Sequence, residues 1–98
     1  MTVEDTEHLR ILKATLAEEI RDVRRLIEQI AEVIVSDEQF ALANMDQLQA
    51  FDLAIQRADE SADMLERLSN GSCVRSAVDA VRLSDVQDRF RAALKTAA

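Results

Sequence analysis

Residues 9–35, LRILKATLAEEIRDVRRLIEQIAEVIV, decide the fold. Leu9, Leu12, Leu16, Val23, Leu26, Ile30 and Val33 follow a 3-4 spacing in which Glu19 takes the place between Leu16 and Val23, and Ile20, Ile27 and Ile34 widen the stripe. That period is helical, and no Gly or Pro interrupts it. Glu19 is the one charge in an otherwise apolar heptad seam. Extended back to about Asp5, the pattern predicts a helix over 5–35, roughly 45 Å long at 1.5 Å per residue.

Downstream, Ser36-Asp37-Glu38-Gln39 has the form of a capping box with Ser36 at the N-cap. It predicts a second helix over about 37–69. Its stripe is Ala41, Leu48, Phe51, Ile55, Ala58, Ala62 and Leu65, flanked by Met45, Met64 and Leu68. Asn70-Gly71 ends it, because Gly adopts the left-handed conformation that closes helices. Cys73, Val74, Ala77, Val78 and Val81 suggest a short helix over about 73–82. Ser84-Asp85-Val86-Gln87 is a second capping-box pattern, opening a helix over about 85–95 that carries Val86, Phe90 and Leu94. The expected fold is therefore a single all-α domain: a long antiparallel hairpin plus two short C-terminal helices. A second copy of the chain is expected to complete a four-helix bundle, since a hairpin this small has little core of its own.

Composition supports the helical reading and narrows the function. The 98 residues include one Gly, no Pro, no Trp and no Tyr. The formal net charge of −7 comes with no basic patch or stripe, which argues against nucleic acid as a partner. Cys73 is the single cysteine, so no intrachain disulfide forms and a reducing cytoplasm is the expected compartment. No apolar run is long enough to span a bilayer, and the acidic start is unlike a signal peptide.

One pair of residues offers chemistry. Asp52 and Gln56 lie one helical turn apart near the middle of the second helix, just outside the Leu48/Phe51/Ile55 seam. The spacing alone is weak, since ten Asp and six Gln give about one such pair by chance. Position adds to it, because a side chain on a rigid rod can be presented into another protein's cleft. The opposing reading is equally concrete. A turn at Ser36 puts Asp52 opposite Ile20 and Arg21, where Arg21, Arg24 or Arg25 pairs with it and leaves an ordinary surface ion pair. Asp59, Glu60 and Asp63 continue the acidic face, either as a contact for a basic rim or as a solvated surface. The acids have no His or Cys nearby, so no metal site is expected. His8 is near a chain end and is not expected to be catalytic. Cys73 reads as a small buried hydrophobe, and Met45 and Met64 as core filler.

The stretch Asp52-Leu53-Ala54-Ile55-Gln56, preceded by Gln49 and Phe51, resembles the Asp-x-x-x-Gln signature of the CheZ-type chemotaxis phosphatases. The wider pattern is Leu48-Gln49-x-x-Asp52-Leu53-x-x-Gln56 in a helical hairpin, followed by Leu83-Ser84-Asp85. It is similar to the small CheT-like members of that family. The resemblance covers roughly residues 42–68. It implies a helix inserted into a phosphorylated CheY-type receiver domain. Asp52 would pair with the receiver's active-site lysine, and Gln56 would orient a water for in-line attack on the aspartyl phosphate. Gln49, Asp59, Glu60 and Asp63 would contact the partner. Mg²⁺ would come from the receiver, and the chain would need no cofactor of its own. CheZ-type chains also carry a C-terminal segment that tethers the response regulator, and no counterpart is seen here. A non-catalytic adaptor, binding a receiver or the receptor methyltransferase, is therefore the second expectation. A small helical chaperone or structural dimer is the third.

Overall fold

The computed structural model describes residues 2–97. They form five helices: α1 (Val3–Val35), α2 (Glu38–Ala43), α3 (Met45–Ser69), α4 (Val74–Asp79) and α5 (Ser84–Ala97). The all-α reading holds, and α1 and α3 pack along each other.

The helix ends follow local chemistry. Thr2 caps α1: its hydroxyl accepts from the Asp5 amide at 3.1 Å, and the Asp5 carboxylate accepts from the Thr2 amide at 3.4 Å. The helix thus begins two residues earlier than the periodicity implied. Ser36 closes α1, its hydroxyl donating to the Val33 carbonyl at 2.6 Å. The N-cap of the next helix is Asp37, not Ser36; its carboxylate accepts from the Phe40 amide at 3.1 Å. At the end of α3, the Gly71 amide donates to the Leu68 carbonyl and the Ser72 amide to that of Arg67. This is a Schellman closure, with Gly71 at φ 93°.

The predicted helix over 37–69 is in fact two. Asn44 interrupts it at φ −126°, ψ 34°. Its side-chain amide donates to the Phe40 carbonyl at 2.9 Å, the acceptor its own backbone N–H would use in a regular helix. The backbone N–H turns instead to Ala41 at 3.3 Å. Helix α2 therefore belongs to the connection, and the hairpin turns over a longer stretch than a bend at Ser36 would give.

Two faces of α1 are treated differently. Ala14, Ala17, Ile20, Ile27, Ala31 and Ile34 are partly or fully buried. Ala17 and Ala62 are almost completely buried, so α1 and α3 approach closely where these small side chains lie. The heptad seam from Leu9 to Val33 stays 39% to 72% exposed, so of the wide apolar stripe read from sequence only the Ile20–Ile27–Ile34 edge is partly buried. The largest buried cluster lies elsewhere. Met64, Ala77, Val78, Val81 and Val86 bury one another, with Leu68, Leu83 and Phe90 against them. This cluster sets α4 and α5 on the side of α3 that carries Met64 and Leu68. Met64 is core, but Met45 is exposed at the start of α3, beside the turn of the hairpin.

Helix α4 stops at Asp79, short of the expected 82, and α5 starts at Ser84. Gln87 explains the gap. Its amide donates to the carbonyls of Val78, Asp79 and Val81 instead of reaching back to cap its own helix. Arg67 supports the same joint, donating from Nε and Nη2 to the Ala77 carbonyl at 3.2 and 3.0 Å.

Gly71 gives a clean test of the α3 closure, because a Cβ there would meet nothing within 4 Å. Gly71→Ala is expected to lower unfolding free energy by about 1 kcal/mol, a backbone cost without a clash. Gly71→Asn is expected to cost less, since Asn tolerates the left-handed region. Urea titration of the three proteins measures both.

Candidate functional site

The hairpin register places the site. As residue number rises along α1, it falls along α3. The Ser69 hydroxyl donates to the Arg10 carbonyl at 3.1 Å. Arg21 Nη2 donates to Asp63 at 3.0 Å and to Glu66 at 2.5 Å. Arg24 Nε lies 2.7 Å from Asp59. Ile27 shares a groove with Gln47, Ala50, Phe51 and Ala54. Asp52 thus lies nearer the level of Ile27 than of Ile20 and Arg21, its expected neighbours. The offset comes from α2, which lengthens the turn.

This offset decides the competition for arginines. Arg21 is engaged by Asp63 and Glu66. Arg24 pairs with Glu28 at 3.0 Å and with Asp59, and Arg25 pairs with Asp22. The Arg24–Asp59 contact is ionic, because the buried Nε–H has no aligned acceptor. The Glu66 carboxylate, accepting from Arg21, raises that guanidinium above its ordinary range; partial burial opposes this, and Asp63 reinforces it. Among the described residues no Lys or Arg lies within ion-pair distance of Asp52. Asp52, Gln56 and Gln49 are all exposed. The helical repeat puts Asp52 and Gln56 one turn apart on one side of α3.

The acids below the pair have structural partners. Asp59 and Asp63 face α1 through Arg24 and Arg21. Glu60 is 4% exposed and turns the other way. Its carboxylate accepts from the Arg82 backbone N–H at 3.0 Å and from Arg82 Nε at 3.3 Å, which pins the α4–α5 connection to α3. A cavity of about 210 Å³ opens beside Gln56, lined by Asp59, Glu60, Arg82 and Leu83. Arg82 was not singled out in the sequence. Its side chain arrives from a separate connection, and no local pattern announces that. A wider depression of about 720 Å³ lies between α4 and α5, with Val74, Val78 and Leu94 among its lining. It includes neither Asp52 nor Gln56.

Cys73 is exposed, not buried. It caps α4, with Sγ accepting from the Ser76 amide at 3.5 Å and lying 3.1 Å from the Ser76 hydroxyl. Those bonds, the hydroxyl first, hold the thiol below its ordinary pKa. His8 is an exposed residue of the first turns of α1. Among the described residues no group of three or more His, Cys, Asp or Glu could hold a metal ion. Among them, too, no helix is long and apolar enough to cross a membrane. No protein-family model, curated protein or solved structure matches the chain.

Two outcomes are expected from these contacts. Glu60→Ala leaves the Arg82 N–H without its acceptor and should cost about 1–3 kcal/mol in urea denaturation. Glu60→Gln keeps an acceptor oxygen and should cost less. Ser76→Ala should raise the Cys73 thiol pKa, because it removes the largest cause of the lowering. The pH midpoint of iodoacetamide alkylation, followed by intact mass, should then move upward.

Proposed function

We propose that this chain is a CheZ-like signalling protein that presents the Asp52/Gln56 side of α3 to a phosphorylated CheY-type receiver domain in the cytoplasm and promotes hydrolysis of its aspartyl phosphate. The observation that carries the reading is the freedom of the pair. Both side chains are exposed on a 25-residue helix, while Arg21, Arg24 and Arg25 of α1 are engaged by other carboxylates. The resemblance of residues 48–56 to the Asp-x-x-x-Gln signature supplies the partner class.

In this reading the Asp52 carboxylate pairs with a lysine of the receiver and fixes the approach of α3. The Gln56 amide donates and accepts hydrogen bonds without being a strong base, so it holds a water in line with the phosphorus. The receiver supplies the phosphoryl group and Mg²⁺, and positioning is the chief contribution of this chain. Asp59, Asp63 and Glu60 act mainly by holding α3 rigid between α1 and the α4–α5 connection. Gln49, one turn before Asp52 and Leu53, is free to extend the contact.

The test is phosphate release from a phosphorylated receiver with and without the protein. Gln56→Ala is expected to slow the accelerated reaction on the order of a hundredfold, the scale of losing one positioned polar group. Asp52→Ala should chiefly weaken binding. Both positions are exposed, so helicity should be unchanged. Binding of a receiver without acceleration of phosphate loss would favour the adaptor reading. Full activity in Gln56→Ala would sink the mechanism.

A further inference from the structure

Charge is unevenly spread along this acidic chain. Residues 73–98 hold five Arg and Lys against three Asp, whereas residues 1–72 hold seven against sixteen Asp and Glu. Three of the five C-terminal cations, Arg75, Arg91 and Lys95, line the depression of about 720 Å³ between α4 and α5. Arg91 is engaged within the chain, donating to Asp79 at 2.8 Å and to the Gln87 side-chain carbonyl at 3.0 Å. Asp79 is the one acid of the lining. Among the described residues Arg75 and Lys95 have no carboxylate within ion-pair distance.

The surface between these cations is apolar. Val74 and Val78 lie one turn apart on α4, and Leu94 of α5 shares the depression with them. Val78 is buried and belongs also to the Met64 cluster, whereas Val74 and Leu94 are 51% and 45% exposed. Each wall thus carries an exposed aliphatic side chain beside an unpaired cation: Val74 and Arg75 on α4, Leu94 and Lys95 on α5. The Arg91–Asp79 pair links the two walls.

We propose that this groove docks an acidic amphipathic helix of another protein, with aliphatic residues one turn apart and carboxylates on both flanks. Charge complementarity selects the acids, because an unanswered cation stands on each wall. The valines and Leu94 select the aliphatic stripe, in the manner of a helix laid into an apolar groove. The open shape favours a helix over a small molecule. A small ligand needs walls around most of its surface, whereas a docked helix keeps one face in water. An anionic membrane fits less well. Recruitment to such a surface takes about four to eight clustered basic residues, and the acidic hairpin would be repelled by it. Neither Asp52 nor Gln56 lines the groove, so this inference holds or fails apart from the receiver reading.

The test is an NMR titration of the isotope-labelled full chain with a peptide of about 14 residues, long enough to form a helix on binding. It is built of Leu, Ala and Glu, with two Leu one turn apart and Glu on both sides of them. Amide shifts are expected to move at Val74, Val78 and Leu94, with a dissociation constant on the order of 10–100 μM. A second peptide, with Gln in place of every Glu, requires no change in the protein and should bind about tenfold more weakly. Arg75→Glu/Lys95→Glu should weaken the acidic peptide by a similar factor with helicity unchanged, since both side chains are exposed. Equal affinity for the two peptides, shifts confined to the Leu9–Val33 seam, or no binding at about 1 mM overturns the proposal. Vesicles of phosphatidylglycerol that move the groove residues when the acidic peptide does not would overturn it too, in favour of a membrane.

Discussion

The register between α1 and α3 is the constraint from which the rest of the molecule follows. Few large side chains are buried between these helices; Ala17 and Ala62 are the residues that disappear from the surface there. Small side chains permit close approach but say little about sliding along the axis. Position along the axis is marked by Arg21 against Asp63 and Glu66, and by Arg24 against Asp59. These pairs are partly exposed, and each contributes about 0–1 kcal/mol. Their effect is selective. A slip of one turn would strand two arginines and three carboxylates at once, whereas an aliphatic stripe would tolerate it.

Stability comes from a different place. The Met64–Val78–Val86 cluster ties the second half of α3 to α4 and α5, and Glu60 joins its polar edge to the Arg82 backbone. Helix α3 is thereby gripped on two sides. Asp59, Asp63 and Glu66 take the α1 side, and Glu60 and Met64 take the other. The run Asp59-Glu60-Ser61-Ala62-Asp63 looks like one acidic surface when written in a line. At 100° per residue, neighbouring acids 59 and 60 point far enough apart to serve different partners.

That example shows where sequence reading succeeds and where it stops. Helical periodicity found the helices, and Gly71 marked the end of α3, because both signals are local. The break at Asn44 was missed. It depends on a side-chain amide taking the Phe40 carbonyl from its own backbone, a competition that leaves the hydrophobic period intact. The missed break carried the register error with it, and with that the alternative in which Arg21, Arg24 or Arg25 pairs with Asp52. The apolar period of α1 does not say which part of a wide stripe meets α3: Ile20, Ile27 and Ile34 are partly buried beside Ala17, whereas Leu9–Val33 stay on the surface. Cys73 followed its usual burial preference on paper, whereas the structure uses its sulfur as an N-cap acceptor.

The exposure of Asp52 then has a physical cause. An acid on α3 finds an arginine on α1 only where the two helices bring them level. Arg21, Arg24 and Arg25 all lie in one turn and a half of α1, and the longer connection through α2 carries them past Asp52 to the level of Asp59–Glu66. A bend confined to Ser36 would have brought Arg21 level with Asp52. Deleting α2 would therefore move charge partners as well as shorten a turn. The interruption at Asn44 looks like a local defect in a helix, and its effect is felt two turns on, where it leaves the Asp52 carboxylate facing outward with no Lys or Arg of the described residues within ion-pair distance.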